Sequence, residues 1–138
     1  MILIFTLDDN NATQFCGKRQ STDSEVATHI LDFANNAPIY MKEKSKSFFN
    51  TAIRSCSQFV FVDNFNDVPE DAVCFIEEVV SDEILNKVDL MLVYRWNRVY
   101  PSVVKDRLNL DDYTKHFIES FKGSSHNQIT TELYMRKG

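Results

Sequence analysis

A chain of 138 residues with a formal charge of −5, of which 43% are hydrophobic and 25% charged, suits one domain built on one core. Three glycines and three prolines leave little room for a linker or a low-complexity tail, and the acidic balance argues against general nucleic-acid binding, which draws on clustered Lys and Arg. No apolar stretch approaches the roughly 20 residues that span a bilayer. Cys16, Cys56 and Cys74, odd in number and without a close pair, speak against a disulfide framework or a metal knuckle and for a reducing cytoplasm.

Ile2-Leu7 is a continuous apolar run, the pattern of a strand buried on both faces. It lacks a basic lead and meets Asp8-Asp9-Asn10-Asn11 at once, so it reads as a first strand ending in a turn rather than as a signal peptide. Thr22-Asp23-Ser24-Glu25 has capping-box spacing, and Val26, Ala27, Ile30, Leu31 and Ala34 follow at helical period, which predicts a helix from about Asp23 to Ala34. Pro38 restarts the chain into a short strand, Ile39-Tyr40-Met41. Phe48, Phe49, Ala52 and Ile53 then form the stripe of a second short helix that Ser45 or Ser47 can cap.

Phe59-Val62 reads as another buried strand, and Ala72-Ile76 as the next. Ser81-Asp82-Glu83 opens a helix with a cap and two acids that suit its dipole. Leu90-Tyr94 is a further strand. His116-Phe121 and Ile129-Met135 are two strands joined by a Gly/Ser/Asn loop, a hairpin whose second strand puts Ile129, Thr131, Leu133 and Met135 on one face and Glu132, Tyr134 and Arg136 on the other. The sum is a single α/β domain: a mostly parallel central sheet, helices on both faces, and a C-terminal antiparallel hairpin.

This order of elements resembles a shortened dihydrofolate reductase. The likeness rests on Ile2-Leu7 with its acidic turn, Ile39-Tyr40-Met41-Lys42-Glu43-Lys44-Ser45, Phe59-Val60-Phe61-Val62-Asp63-Asn64, and the chain from Leu90 through Tyr100-Pro101 to the hairpin. The resemblance implies that Asp23 stands where the family has its substrate-binding carboxylate. It also implies a cofactor crevice that departs from the family's pattern. Glu77-Glu78 replace a Gly-Gly pair, Lys42-Glu43 replace Gly-Arg, and Asp63 replaces a basic residue. Backbone approaches a pyrophosphate closely only where side chains are absent, and each carboxylate beside that anion has to be desolvated. The expectation is a scaffold without NADPH binding and without another cofactor.

Among the remaining candidates, Glu77, Glu78 and Asp63 invite a divalent cation, but a solvated turn is the simpler reading, and no metal site is expected. Arg95, Trp96, Arg98 and Tyr100 interleave aromatics with arginines, as single-stranded RNA sites and protein hot spots both do. The commonest reading of such a run is a strand end with Trp96 in the core and the arginines stacked over it; among the functional readings the acidic chain favours a protein partner or a homodimer. Ser125-His126 juxtaposes a hydroxyl and an imidazole without an evident third member. His29 and His116 read as structural, and Cys16 as a loop cysteine near Lys18 and Arg19. Three functions remain open: a non-catalytic binding protein, a pterin or nucleotide enzyme using Asp23 as its acid, and an RNA-binding protein or ribonuclease using Arg95, Arg98 and His126.

Overall fold

The computed structural model describes residues 1–50 and 58–137. Among these residues seven strands form one sheet: β1 (Ile2–Leu7), β2 (Ile39–Met41), β3 (Phe59–Phe61), β4 (Val73–Phe75), β5 (Leu90–Arg95), β6 (Tyr113–Phe121) and β7 (Ile129–Arg136). Their spatial order is β3-β2-β4-β1-β5-β7-β6. The first five run parallel, and β7 and β6 close the sheet antiparallel. β1 lies between β4 and β5, which is why Leu3, Ile4, Phe5 and Leu7 are all fully buried.

Alternation splits the core into two layers. Leu3, Phe5, Met91, Val93 and Tyr134 pack on one face with Ile84 of α2 (Asp82–Leu85). Ile4, Leu92, Tyr94 and Ile129 pack on the other with α1 (Ser24–Ala34). α1 buries Val26, Ala27, Ile30, Leu31 and Ala34, and each full-sized apolar side chain so buried contributes about 1.5–3 kcal/mol. Asn35, at φ 48°, ends that helix in the left-handed conformation that Asn tolerates, and its N–H bonds back to Leu31 O. Arg136 on β7 closes the end of α2 by donating to the Leu85 and Val88 carbonyls.

Several expectations need correction. The cap of α1 is Asp23, one residue after the expected Thr22, and its carboxylate accepts from the Glu25 and Val26 N–H groups. The segment after Met41 is a 3-10 helix, Glu43–Phe49, with no side-chain cap; Ser47 instead donates to Lys44 O. Phe48 and Phe49 are buried as expected, whereas Ala52, Ile53 and Cys56 lie outside the described residues. β3 is an edge strand with Val60 37% and Phe61 44% exposed, not a buried one. The other edge, β6, exposes Phe117 and Ile118 but carries Lys115 and a bulge between Phe117 and Glu119, two features that discourage edge-to-edge pairing.

Candidate functional site at the carboxyl edge of the sheet

The chain leaves β1 toward α1 on one face of the sheet and leaves β4 toward α2 on the other. The carboxyl ends of these adjacent strands therefore flank a topological switch point, the usual place for a ligand in an open α/β sheet. Here the crevice is crossed by the loop that follows β1. Asp8, fully buried, organises that loop: Oδ1 accepts from the Asn10 and Ala12 N–H groups and Oδ2 from the Tyr100 N–H at 3.0 Å. Phe15 and Lys18 exchange backbone hydrogen bonds across a two-residue turn. Both central residues of that turn, Cys16 (φ 49°) and Gly17 (φ 74°), adopt positive φ, the signature of a tight hairpin turn.

That turn delivers Arg19 to the end of β4. Its guanidinium grips Glu77 in a fork, Nε to Oε2 at 2.5 Å and Nη2 to Oε1 at 2.7 Å. Nη1 donates to Ser47 Oγ at 2.8 Å and Nη2 also to Lys44 O at 3.1 Å, while the group lies 5.7 Å over the Phe48 ring. Glu77 is only 8% exposed, and its carbonyl accepts from Gln14 Nε2. The neighbouring Glu78 binds Lys42 Nζ at 2.6 Å, with Lys44 Nζ 3.9 Å away. Each carboxylate of the pair thus has a cation of this chain as its partner. Asp63 lies exposed beyond the edge strand β3, two strands from β4, and is not brought to them. Among the described residues no group of three His, Cys, Asp or Glu side chains assembles to hold a metal.

Asp23 is 2% exposed, and both of its oxygens are occupied. Oδ1 caps α1, and Oδ2 accepts from Ser125 N at 2.8 Å and Ser125 Oγ at 3.0 Å. Ser124 Oγ accepts the Ser24 N–H, so the hairpin loop is fastened to the helix start from both sides. Gly123 makes this approach possible, since a Cβ there would stand 2.4 Å from Asp23 Oδ2. Burial pushes the Asp23 carboxyl upward, but hydrogen bonds from Ser125, Ser124 and Val26 outweigh it and hold the group below its ordinary range.

The third member that the sequence did not reveal for Ser125-His126 is therefore Asp23, but it binds the serine rather than the histidine. Ser125 donates to the carboxylate, so its oxygen accepts from His126 Nδ1–H at 2.7 Å, and Nε2 accepts from Tyr100 Oη–H at 3.0 Å. Burial, with Arg98 adding to it and Asp23 opposing it, lowers the His126 pKa and favours this neutral form. A nucleophilic serine needs its proton on the imidazole. In this chain of bonds the proton points to a carboxylate that is a poor base, so the arrangement fastens a loop and does not activate Ser125.

The Arg95–Tyr100 run divides in two. Trp96 is 1% exposed and stacks on His126 with ring centroids 4.7 Å apart, so it presents no surface to a partner. Arg95 is not stacked over Trp96. It donates to Glu132 Oε1 at 2.7 Å, Tyr134 Oη at 2.6 Å, Asn11 Oδ1 at 2.6 Å and Asp8 O at 2.8 Å, a buried cluster tying β5 and β7 to the first loop. Arg98, which lies 4.9 Å over the ring of the half-buried Tyr100, is exposed, as are Asn97 and Val99 on either side of it. Among the other candidates, His29 stacks on Phe121 at 3.9 Å and lies 3.6 Å from Glu119, and Cys16 is an exposed free thiol in its turn.

No protein-family model matches this chain, and no curated protein matches it in sequence. Arg19 is the site residue that sequence reasoning missed. It lies 58 residues from Glu77, and a basic residue in a loop carries no local mark of a distant partner.

Proposed function

We propose that the chain is a non-catalytic binding protein on a dihydrofolate reductase-like scaffold that does not hold NADPH. The observation that carries this is the Arg19–Glu77 fork: the switch-point crevice, where a dinucleotide's pyrophosphate needs bare main chain, holds an internal ion pair. Lys42 and Lys44, the residues best placed to meet a phosphate, face Glu78 instead. The order of strands and helices and the closing hairpin, on which the resemblance rests, support the scaffold reading. Against the enzyme alternative stands Asp23, whose four accepted hydrogen bonds leave it no free oxygen for a heterocycle. The RNA alternative loses Arg95 and His126 to internal contacts.

A thermal-shift panel of pterins, pyrimidines and nucleotides tests this reading. The expected outcome is an unchanged melting temperature with every compound. A shift that vanishes in Asp23→Asn would instead make Asp23 the pocket acid of an enzyme.

A further inference from the structure

The exposed part of the carboxyl edge lies further along the chain than the aromatic-arginine run. Val99, Val103 and Val104 are 55%, 53% and 77% exposed, and Pro101 beside them is exposed as well. These apolar side chains sit on a loop that is fastened at many points. Asp9 N–H holds Arg98 O, Asp8 holds the Tyr100 N–H, Arg107 Nε donates to Ser102 Oγ, and Thr13 bonds the Asp106 carbonyl through both its N–H and its hydroxyl. Valines fixed outward on a tied loop lose little freedom when they are covered, which is the energetic condition for a preformed docking surface.

A cleft of about 460 Å³ opens beside them, with Cys16, Gly17, Pro101 and Val103 among its walls and Lys105 and Asp106 as its charged residues. Gln14 and Gly17 form a wall shared with a second cleft, which holds Lys18, Arg19 and Lys44 against the single acid Glu77. Arg19 is already neutralised by Glu77 and Lys44 lies near Glu78, which leaves Lys18 to set the sign of the rim. Among the described residues Lys18, Arg98 and Lys105 form no ion pair. A protein of net charge −5 thus gathers three unpaired cations around its exposed valines, against the two carboxylates of Asp9 and Asp106 that lie beside them.

We infer that the Arg98–Lys105 loop and the cleft beside Cys16 and Gly17 form a docking surface for an acidic peptide segment of a partner protein, its apolar side chain seated against Val103 and Pro101 and its carboxylates on Lys18 and Lys105. This rests on the binding-protein reading and names the class of partner. A symmetric pairing of two copies through this loop is disfavoured, because each set of cations would then face its own counterpart.

The test is fluorescence anisotropy of a fluorescein-labelled hexapeptide, Glu-Asp-Leu-Phe-Asp-Glu, titrated with the full chain at low salt. Half-saturation below about 1 mM is expected, with the lysine counterpart of the peptide silent. Lys18→Glu/Lys105→Glu weakens binding by about tenfold or more, and Val103→Ser/Val104→Ser by about fivefold. Both pairs are surface residues whose replacement leaves the fold intact by circular dichroism. No saturation below that concentration, equal binding by both variants, or stronger binding of an oligouridylate than of the peptide overturns the inference. Each of these results leaves a negative NADPH titration standing, so the two readings fail separately.

Discussion

Removing the guanidinium from the switch point gives the sharpest perturbation of this fold. In Arg19→Met the Glu77 carboxylate, 7% exposed at its side chain, loses both hydrogen bonds of the fork, and Ser47 Oγ and Lys44 O lose a donor. Breaking one partner out of a fully buried pair costs about 3–5 kcal/mol. The arginine is 23% exposed, and partial screening brings the expectation to roughly 2–3 kcal/mol. Glu77→Met leaves Arg19 half-satisfied by Ser47 and Lys44 and should cost less, about 1–2 kcal/mol. The double variant removes both charges and should lie within about 1 kcal/mol of the natural chain, a coupling of at least roughly 2 kcal/mol. Urea unfolding followed by fluorescence is a direct assay, because the single tryptophan, Trp96, is buried. Small and additive losses, each under about 0.5 kcal/mol, would show that Arg19 and Glu77 make an ordinary surface pair and that the crevice is not held shut by them.

Three further outcomes follow from the loop clasp and the buried arginine. Gly123→Ala should destabilise by about 2 kcal/mol through its collision with Asp23 Oδ2, and much of that loss should disappear in an Asp23→Ala background, as urea midpoints will show. The Asp23 carboxyl is held below its ordinary value when folded, so its contribution is complete above the unfolded pKa and is lost as pH falls through the folded one. Asp23→Asn should therefore lower stability near neutral pH and narrow the gap to the natural chain below about pH 4, in thermal melts across that range. Arg95→Met strands Glu132 and Tyr134 in the core and should cost about 3 kcal/mol, whereas Arg98→Met should change stability by less than about 0.5 kcal/mol.

What the sequence disclosed was local. The apolar run of β1, the helical period of α1, the Ser81 cap and the hairpin strands each depend on neighbours a few residues away, and each was legible. The edge position of β3 was not, because a run such as Phe59-Val60-Phe61-Val62 looks the same whether one flank of the sheet is covered or two. The cap of α1 was misplaced by one residue because Thr22 and Asp23 are both good caps, and the choice falls to Asp23 through Ser125, 102 residues away. The core reading of Trp96 holds, but Arg95 reads as a surface group laid over it because its neighbours are polar and charged. Their burial depends on His126, Glu132 and Tyr134, which only the β5–β7 pairing brings near. The Glu77-Glu78 pair was visible from the start, but its meaning waited on Arg19 and Lys42.

The central claim is that this crevice is closed to a dinucleotide by the chain's own charges, and a titration of NADPH followed by reduced-nicotinamide fluorescence tests it most directly. No enhancement or energy transfer from Trp96 should develop below about 1 mM nucleotide. Saturable binding with a micromolar dissociation constant would contradict it, and with it the reading of Arg19 as the group that fills the site.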